Sequence, residues 1–370
     1  MNDLSQGQKE EICLLYAGTY SRGNSRGIYH FRFNMANGEL QPLGVAGEAD
    51  NPSYLAIDVK KGRLYAVNEV AEFAGRPGGG VCAFAIEPST GDLSFISQTH
   101  NHGAGPCYLS LDHSGRYLLV ANYSGGNVTV ILVSDDGVLN EPIDTIAHTG
   151  SRLHPKRQKR PHPHSIVLDP ANKYAFVPDL GLDRVLQYRF DRVTGRLVAN
   201  RRPWVEVEAG SGPRHLVFHP EGRFAYVINE LSSTITAYVY DPNQGNLELL
   251  QSISTLPDDY FGSNLAADLH VTPSGKFLLG SNRSHDSIAF YAIDPNSGWL
   301  TLVDFVPTQG RTPRGFVIDP SGTFALVANQ DSHTIMIFRI DEEQGRIFST
   351  GNGVHIPDPV CLKFAAEETS

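Results

Sequence analysis

"GPRHLVFHPEGRFAYVIN", residues 212–229, is two apolar runs around a His-Pro-Glu-Gly reversal, closed by an asparagine. Proline and glycine set the backbone angles of a tight turn, so the stretch reads as a hairpin. The same skeleton returns five times: "NPSYLAIDVKKGRLYAVN" (51–68), "GPCYLSLDHSGRYLLVAN" (105–122), "HPHSIVLDPANKYAFVPD" (162–179), "LAADLHVTPSGKFLLGSN" (265–282) and "TPRGFVIDPSGTFALVAN" (312–329). A short variable loop follows each copy, then a third strand such as "TITAYVYD" or "TIMIFRID". A second turn leads to a fourth, as in "PNQGNLELL" or "EEQGRIFST". Four antiparallel strands in a repeat of about fifty residues make the blade of a β-propeller.

The chain ends complete the count. "DPVCLKF" (358–364) looks like a first strand with nothing after it, and "ICLLYAGTY" (12–20) like a second strand with nothing before it. Joined, they make one more blade, whose innermost strand comes from the C-terminus and whose other three come from the N-terminus. The expected fold is all-β: a seven-bladed β-propeller of four-stranded antiparallel blades, closed where the two ends share a blade. Sharing removes the open sheet edges. The expectation is one domain over 1–370, with 1–11 and 366–370 as loosely ordered tails.

Composition agrees with many short strands and tight turns: 41% hydrophobic residues, 36 glycines and 23 prolines in 370 residues. A formal charge of −10 opposes general binding to nucleic acid or anionic membranes, while leaving room for a local basic pocket. Cys13, Cys82, Cys107 and Cys361 are scattered without a CxxC pair, which reads as reduced thiols. "MNDLSQGQKEE" resembles neither a signal nor a transit peptide, and no apolar run has bilayer length. A soluble cytoplasmic protein is expected, as a monomer or weak homo-oligomer.

Repeated positions build the scaffold, so function belongs where the copies differ. Two positions vary and open on one face of the ring. After the opening proline stand Ser53, Cys107, His164, Arg214, Ala267, Arg314 and Val360; after the closing Asn or Asp stand Glu69, Tyr123, Leu180, Glu230, Arg283 and Gln330. The closing residue itself is nearly constant (Asn68, Asn122, Asp179, Asn229, Asn282, Asn329), as a strand-exit side chain bonding nearby backbone would be. His164, Arg214, Glu230, Arg283 and Arg314 therefore converge on one channel mouth, with His215, Asp268 and His270 deeper in their strands. Gathering three arginines, a carboxylate and imidazoles suits an anionic ligand and proton transfer near neutral pH. The basic stretch "HPKRQKRPHPH" (154–164) offers Lys156, Arg157, Lys159 and Arg160 to a phosphate or forms a solvated loop, the reading preferred here. His154, His162 and His164 lack the carboxylate or cysteine of a recognised zinc spacing, so no metal is expected. "GRPGGG" (75–80) reads as a flexible blade loop, lacking the setting of a phosphate loop.

The segments "GPRHLVFHP…YVINELSS", "AADLHVTPSGKFL" and "PRGFVIDPSG" resemble the seven-bladed propeller lactonases, along essentially the whole chain. That group includes the bacterial propeller-type 6-phosphogluconolactonase and the fungal carboxy-cis,cis-muconate cyclase. The resemblance implies an active site at one channel end, made by a histidine, an arginine, a glutamate and a second arginine. These match His164, Arg214, Glu230 and, most naturally, Arg283, with Arg314 as the alternative. It implies hydrolysis of a small anionic sugar lactone without cofactor, 6-phosphogluconolactone to 6-phosphogluconate being the expected reaction. Either Glu230 or His164 would activate water, Arg214 would stabilise the oxyanion, and Arg283 and Arg314 would clamp the substrate's phosphate or carboxylate. The substrate-binding set would be His215, Asp268, His270 and Arg314. A muconate-type lactonising cyclase or isomerase is the alternative within the group. A non-catalytic binding propeller is the alternative outside it, although the blades lack a recurring Trp-Asp ending.

Overall fold

In a computed structural model describing residues 12–366, the strands form seven four-stranded antiparallel sheets and one two-stranded hairpin. The expected loose tails, 1–11 and 366–370, lie outside the described residues except for residue 366. The blades are numbered here from the first complete one. Blade one begins with Leu55–Asp58, blade two with Pro106–Leu111, blade three with Val167–Leu168 and blade four with Pro213–Phe218. Leu265–Val271, Pro313–Ile318 and Pro359–Phe364 begin blades five, six and seven. Blade seven closes the ring as anticipated: Pro359–Phe364 pairs antiparallel with Ile12–Thr19, which continues to Gly27–Asn34 and Glu39–Glu48. No helix among the described residues is long and apolar enough to cross a membrane.

Second strands such as Phe224–Asn229, Phe324–Asn329 and Tyr117–Asn122 are buried at every position. Both faces of each are covered by neighbouring blades, which is why these runs are continuously apolar rather than alternating. Between blades four and five, Tyr226, Ile228, Leu269, Leu278 and Tyr291 form one shared core. The outer turn of a blade meets its neighbour through glycine. Gly298 has φ +74°, and a Cβ there would lie 2.4 Å from the Phe224 ring. Gly245 does the same against Tyr174, whose hydroxyl donates to the Asn243 carbonyl at 2.9 Å. Only glycine permits both the left-handed turn and the ring lying flat upon it.

The near-constant Asn/Asp at the second-strand exit is a latch between blades. Asn282 Nδ2 donates to the Thr255 carbonyl at 2.6 Å, and Thr255 Oγ1 donates back to Asn282 Oδ1 at 2.7 Å. Asn329 reaches the Thr308 carbonyl at 3.0 Å, Asn68 the Asp50 carbonyl at 3.0 Å, and Asn122 accepts from Asn101 at 2.6 Å. Each partner lies just beyond the outer strand of the preceding blade. Asp179 meets His148 in the same place, at 2.7 Å, with Tyr188 completing the chain at 3.0 Å. Asn229 departs from this pattern and bonds Thr234 and Thr236 of its own blade.

Replacing Asn282 with alanine removes both bonds to Thr255 together with those to Ser287 and Asn264, and leaves the buried Thr255 carbonyl without this donor. The variant is expected to lose about 1–3 kcal/mol, read as a lower urea midpoint at unchanged slope.

Candidate active site

In five of the seven blades the variable position at the start of the first strand falls at a β-bulge. Pairing skips a residue between Pro106 and Tyr108, Pro213 and His215, and Pro313 and Gly315. Similar shifts fall between Ala266 and Leu269 and, in blade seven, across Val360. A bulged residue leaves the ladder and its side chain is re-aimed, so Cys107, Arg214 and Arg314 turn toward the channel. These five strands contribute a repeated ladder with side chains at its start that the ladder does not constrain.

Arg214 and Glu230 occupy the two free positions of blade four and meet: Arg214 Nε donates to Glu230 Oε2 at 3.1 Å. Arg283, from the end of blade five's second strand, reaches the same oxygen at 2.8 Å. Arg157 bonds Glu230 Oε1 and the Tyr123 hydroxyl, the latter at 3.1 Å. Burial alone would raise the Glu230 pKa, but three guanidinium groups outweigh it and hold it down to about 2. His164 Nε2 lies 3.9 Å from Glu230 Oε2, and its Nδ1 lies 3.5 Å from Cys107 Sγ. Burial first, then the charges of Arg214 and Arg314 with the His215 ring, push the His164 pKa well below its ordinary value.

A second network lies one step deeper. Asp268 accepts from the Leu269 amide at 3.0 Å, and its Oδ1 faces His215 Nδ1 at 2.8 Å. His270 Nε2 stands 3.3 Å from Oδ2. Arg214 Nη1 lies 3.0 Å from His215 Nε2 and also donates to the Ala267 carbonyl. Burial, then Arg214, lowers the His215 pKa to about 3. Tyr54 and Tyr108 stack at 4.1 Å, and the His215 ring meets both edge-on. His215 and Asp268 thus hold Arg214 in place from below.

Above them lies a narrow cavity, lined among others by Ser53, Glu69, Cys107, Arg214, Asp268 and Arg314. Arg314 differs from the other arginines. Its guanidinium sits over the Tyr20 ring at 5.3 Å, and no hydrogen bond or ion pair to a protein acceptor occupies it among the described residues. Glu69 accepts from the Ser53 and Tyr20 hydroxyls, the latter at 3.1 Å. Four guanidinium groups (Arg157, Arg214, Arg283, Arg314) thus face three carboxylates (Glu69, Glu230, Asp268), leaving one positive charge in excess.

All eight residues singled out from sequence come to this region: Arg214, His215, Asp268 and Arg314 line the cavity, His164, Glu230 and Arg283 lie in the network beside it, and His270 is half-buried against Asp268. The basic insert departs from the preferred reading. Lys156, Lys159 and Arg160 are exposed, but Arg157 folds inward onto Glu230. Gln158 anchors the insert, fully buried and bonded to the Leu180 carbonyl at 2.9 Å and Asp183 at 2.6 Å. The "GRPGGG" stretch is also more ordered than a flexible loop: Glu72–Phe73 pairs with Arg76–Pro77, and Gly80 starts blade one's third strand. His162 stacks on Tyr123 at 4.4 Å, away from His154, and no His/Cys/Asp/Glu group among the described residues is arranged to hold a metal. No disulfide forms among the described residues.

Residues 14–364 match the family described as "Lactonase, 7-bladed beta-propeller", and the chain belongs to it. It is 36% identical over 349 residues to a 6-phosphogluconolactonase of Bacillus subtilis, covering 94% of this chain and 97% of that one. A 6-phosphogluconolactonase of Formosa agariphila is 35% identical over 340 residues, covering 90% and 94%. Among solved structures, a periplasmic gluconolactonase of Pseudomonas aeruginosa superposes with a TM-score of 0.90 at 38% identity, covering 96% and 99%. The likeness spans the whole ring, not one blade or one motif.

Glu230→Gln leaves three guanidinium groups around a neutral amide and is expected to cost about 3–5 kcal/mol at pH 7. The pH dependence checks the cause. The folded pKa of Glu230, about 2, lies below its unfolded value near 4.3, so its stabilisation is complete above the unfolded value. As pH falls through the folded pKa that stabilisation, about 3 kcal/mol, is lost. Thermal melts of the Gln variant should therefore approach wild type as pH drops from 5 to 2.

Proposed function

We propose that the protein hydrolyses the ring ester of a sugar lactone, with 6-phosphogluconolactone as substrate and 6-phosphogluconate as product. The observation that carries this reading is Arg314: a guanidinium facing the cavity with no protein acceptor, beside Arg214 in a lactonase-family ring. Arg214 spends Nε on Glu230 and Nη1 on Ala267 and His215, leaving Nη2 for a ligand. Together they suit the oxyanion that develops when water adds to a lactone carbonyl.

Glu230 is a poor choice of base, since three arginines hold it at about pKa 2. Its work is to gather those arginines. His164 is the better base, buried and neutral at physiological pH. In the proposed step His164 takes a proton from water as its oxygen bonds to the carbonyl carbon. The tetrahedral oxyanion rests against Arg314 and Arg214. Collapse breaks the ring C–O bond, and the departing alkoxide recovers the proton from the imidazolium. Burial depresses His164 most and the arginines next; negative charge arriving with the substrate offsets the arginines and so makes protonation easier. One observation favours a second base: Glu69 lines the cavity and accepts only from hydroxyl groups.

Paired variants separate the two. His164→Ala is expected to lower kcat on 6-phosphogluconolactone by about 10²–10⁴, with Glu69→Gln losing far less; the reverse order moves the base to Glu69. Arg314→Ala should lower kcat by about 10²–10³. The active, deprotonated His164 is lost only as pH falls through a pKa far below the ordinary histidine range. After correction for spontaneous hydrolysis, kcat/KM should therefore stay level from pH 8 to below 6.5. Turnover of carboxymuconate but of neither phosphorylated nor unphosphorylated gluconolactone would replace hydrolysis with the cyclase reading.

A further inference from the structure

The insert between blades two and three stands apart from the rest of the chain in charge. From Ser151 to Ser165 it carries Arg152, Lys156, Arg157, Lys159 and Arg160 with no Asp or Glu, in a protein whose formal charge is −10. It lies at the end of the ring where the variable positions open, because His162 accepts from the Leu180 amide at 3.0 Å and Gln158 bonds the Leu180 carbonyl. It also has a built conformation. Arg152 Nε donates to the Leu182 carbonyl at 2.6 Å, and Gln158 Oε1 accepts from the His154 amide at 2.9 Å. His154 Nδ1 in turn accepts from the Arg157 amide at 3.1 Å. These bonds fix the backbone on both sides of Arg157 and aim its side chain down at Glu230.

The arginines on Glu230 form a graded series in depth. Side-chain exposure is 32% for Arg157, 10% for Arg283 and 3% for Arg214. Arg157 is thus the guanidinium on this carboxylate that a group arriving from solvent meets first. Glu230 keeps Arg214 and Arg283 when Arg157 turns away, so releasing it does not strip the carboxylate of partners. A planar fork beside the Tyr123 hydroxyl, on an insert that also exposes Lys156, Lys159 and Arg160, matches a phosphate dianion in charge and geometry.

We infer that Arg157, carried by the basic insert, forms a phosphate subsite at the channel mouth that selects phosphorylated over unphosphorylated lactones. This rests on the lactonase reading and deepens it. The ester would sit below at Arg214 and Arg314, while the far end of the substrate places its phosphate at Arg157. The exposed lysines and Arg160 raise the local concentration of the anion without touching it.

The test is a specificity ratio: kcat/KM for 6-phosphogluconolactone divided by that for glucono-δ-lactone, in wild type, Arg157→Gln and Arg157→Lys. The glutamine variant should lower the ratio at least tenfold, chiefly through KM for the phosphorylated substrate, and weaken competitive inhibition by inorganic phosphate to a similar degree. The lysine variant keeps the charge and a partner for Glu230, so it guards against a folding defect; losing the fork should still lower the ratio at least threefold. A ratio unchanged within twofold in both variants overturns the subsite, as does an equal loss on both lactones, which would mean that Arg157 acts only through Glu230. If wild-type protein hydrolyses neither lactone, the lactonase reading fails. If it hydrolyses both with a ratio indifferent to Arg157, only the subsite fails.

Discussion

A sheet that is apolar on both faces cannot stand in water alone, so each blade here depends on a neighbour to either side. The fully buried second strands express that dependence, and the side-chain latches from Asn68, Asn122, Asn282 and Asn329 tie blades one, two, five and six to the end of the one before. Such a chain of dependence has no natural end except a ring, which is why the strand Pro359–Phe364 is given up to complete a sheet begun at Ile12. Rigidity of the channel follows from closure. No blade can tilt without disturbing two others.

That rigidity lets a costly group of charges be kept. Glu230 is buried with three guanidinium groups, and each ion loses hydration in getting there. The offsetting contacts are short and directional, and they come from blade four, blade five and the insert. Asp268 performs the corresponding service for His215 and His270 and so braces Arg214 from beneath. The result is a cavity whose wall already points hydrogen-bond donors inward before any ligand arrives, which is the condition for electrostatic stabilisation at little reorganisation cost.

Much of this was legible in the residues. The Pro–Gly hairpin and its Asn ending define the blade, and comparing blades exposes Arg214, Glu230, Arg283 and Arg314 as departures from a repeat. What could not be read has physical reasons. The bulges leave no mark, because the spacing from Pro213 to Asn229 is the same whether Arg214 is paired or expelled from the ladder. Arg157 lies outside the repeat frame, so no comparison with other blades could flag it. Its charge-rich setting looks the same on paper whether the loop faces water or folds inward. The decisive contact is made by Gln158, an unremarked polar residue that is wholly buried. Glu69 was visible as a variable position, but one of its partners, Tyr20, comes from another blade, at the end of Ile12–Thr19.

The shared seventh blade also governs how the molecule comes into being. Residues 12–19 are made well before their inner pairing partner, 359–364. Until then the first strands present an unpaired edge and the seventh blade lacks its channel wall. The contact that completes the ring spans nearly the whole chain, so its closure entropy falls due at the end of folding. A nascent or truncated chain therefore carries an open, adhesive sheet for most of its time on the ribosome, where chaperone shielding and speed of completion matter most.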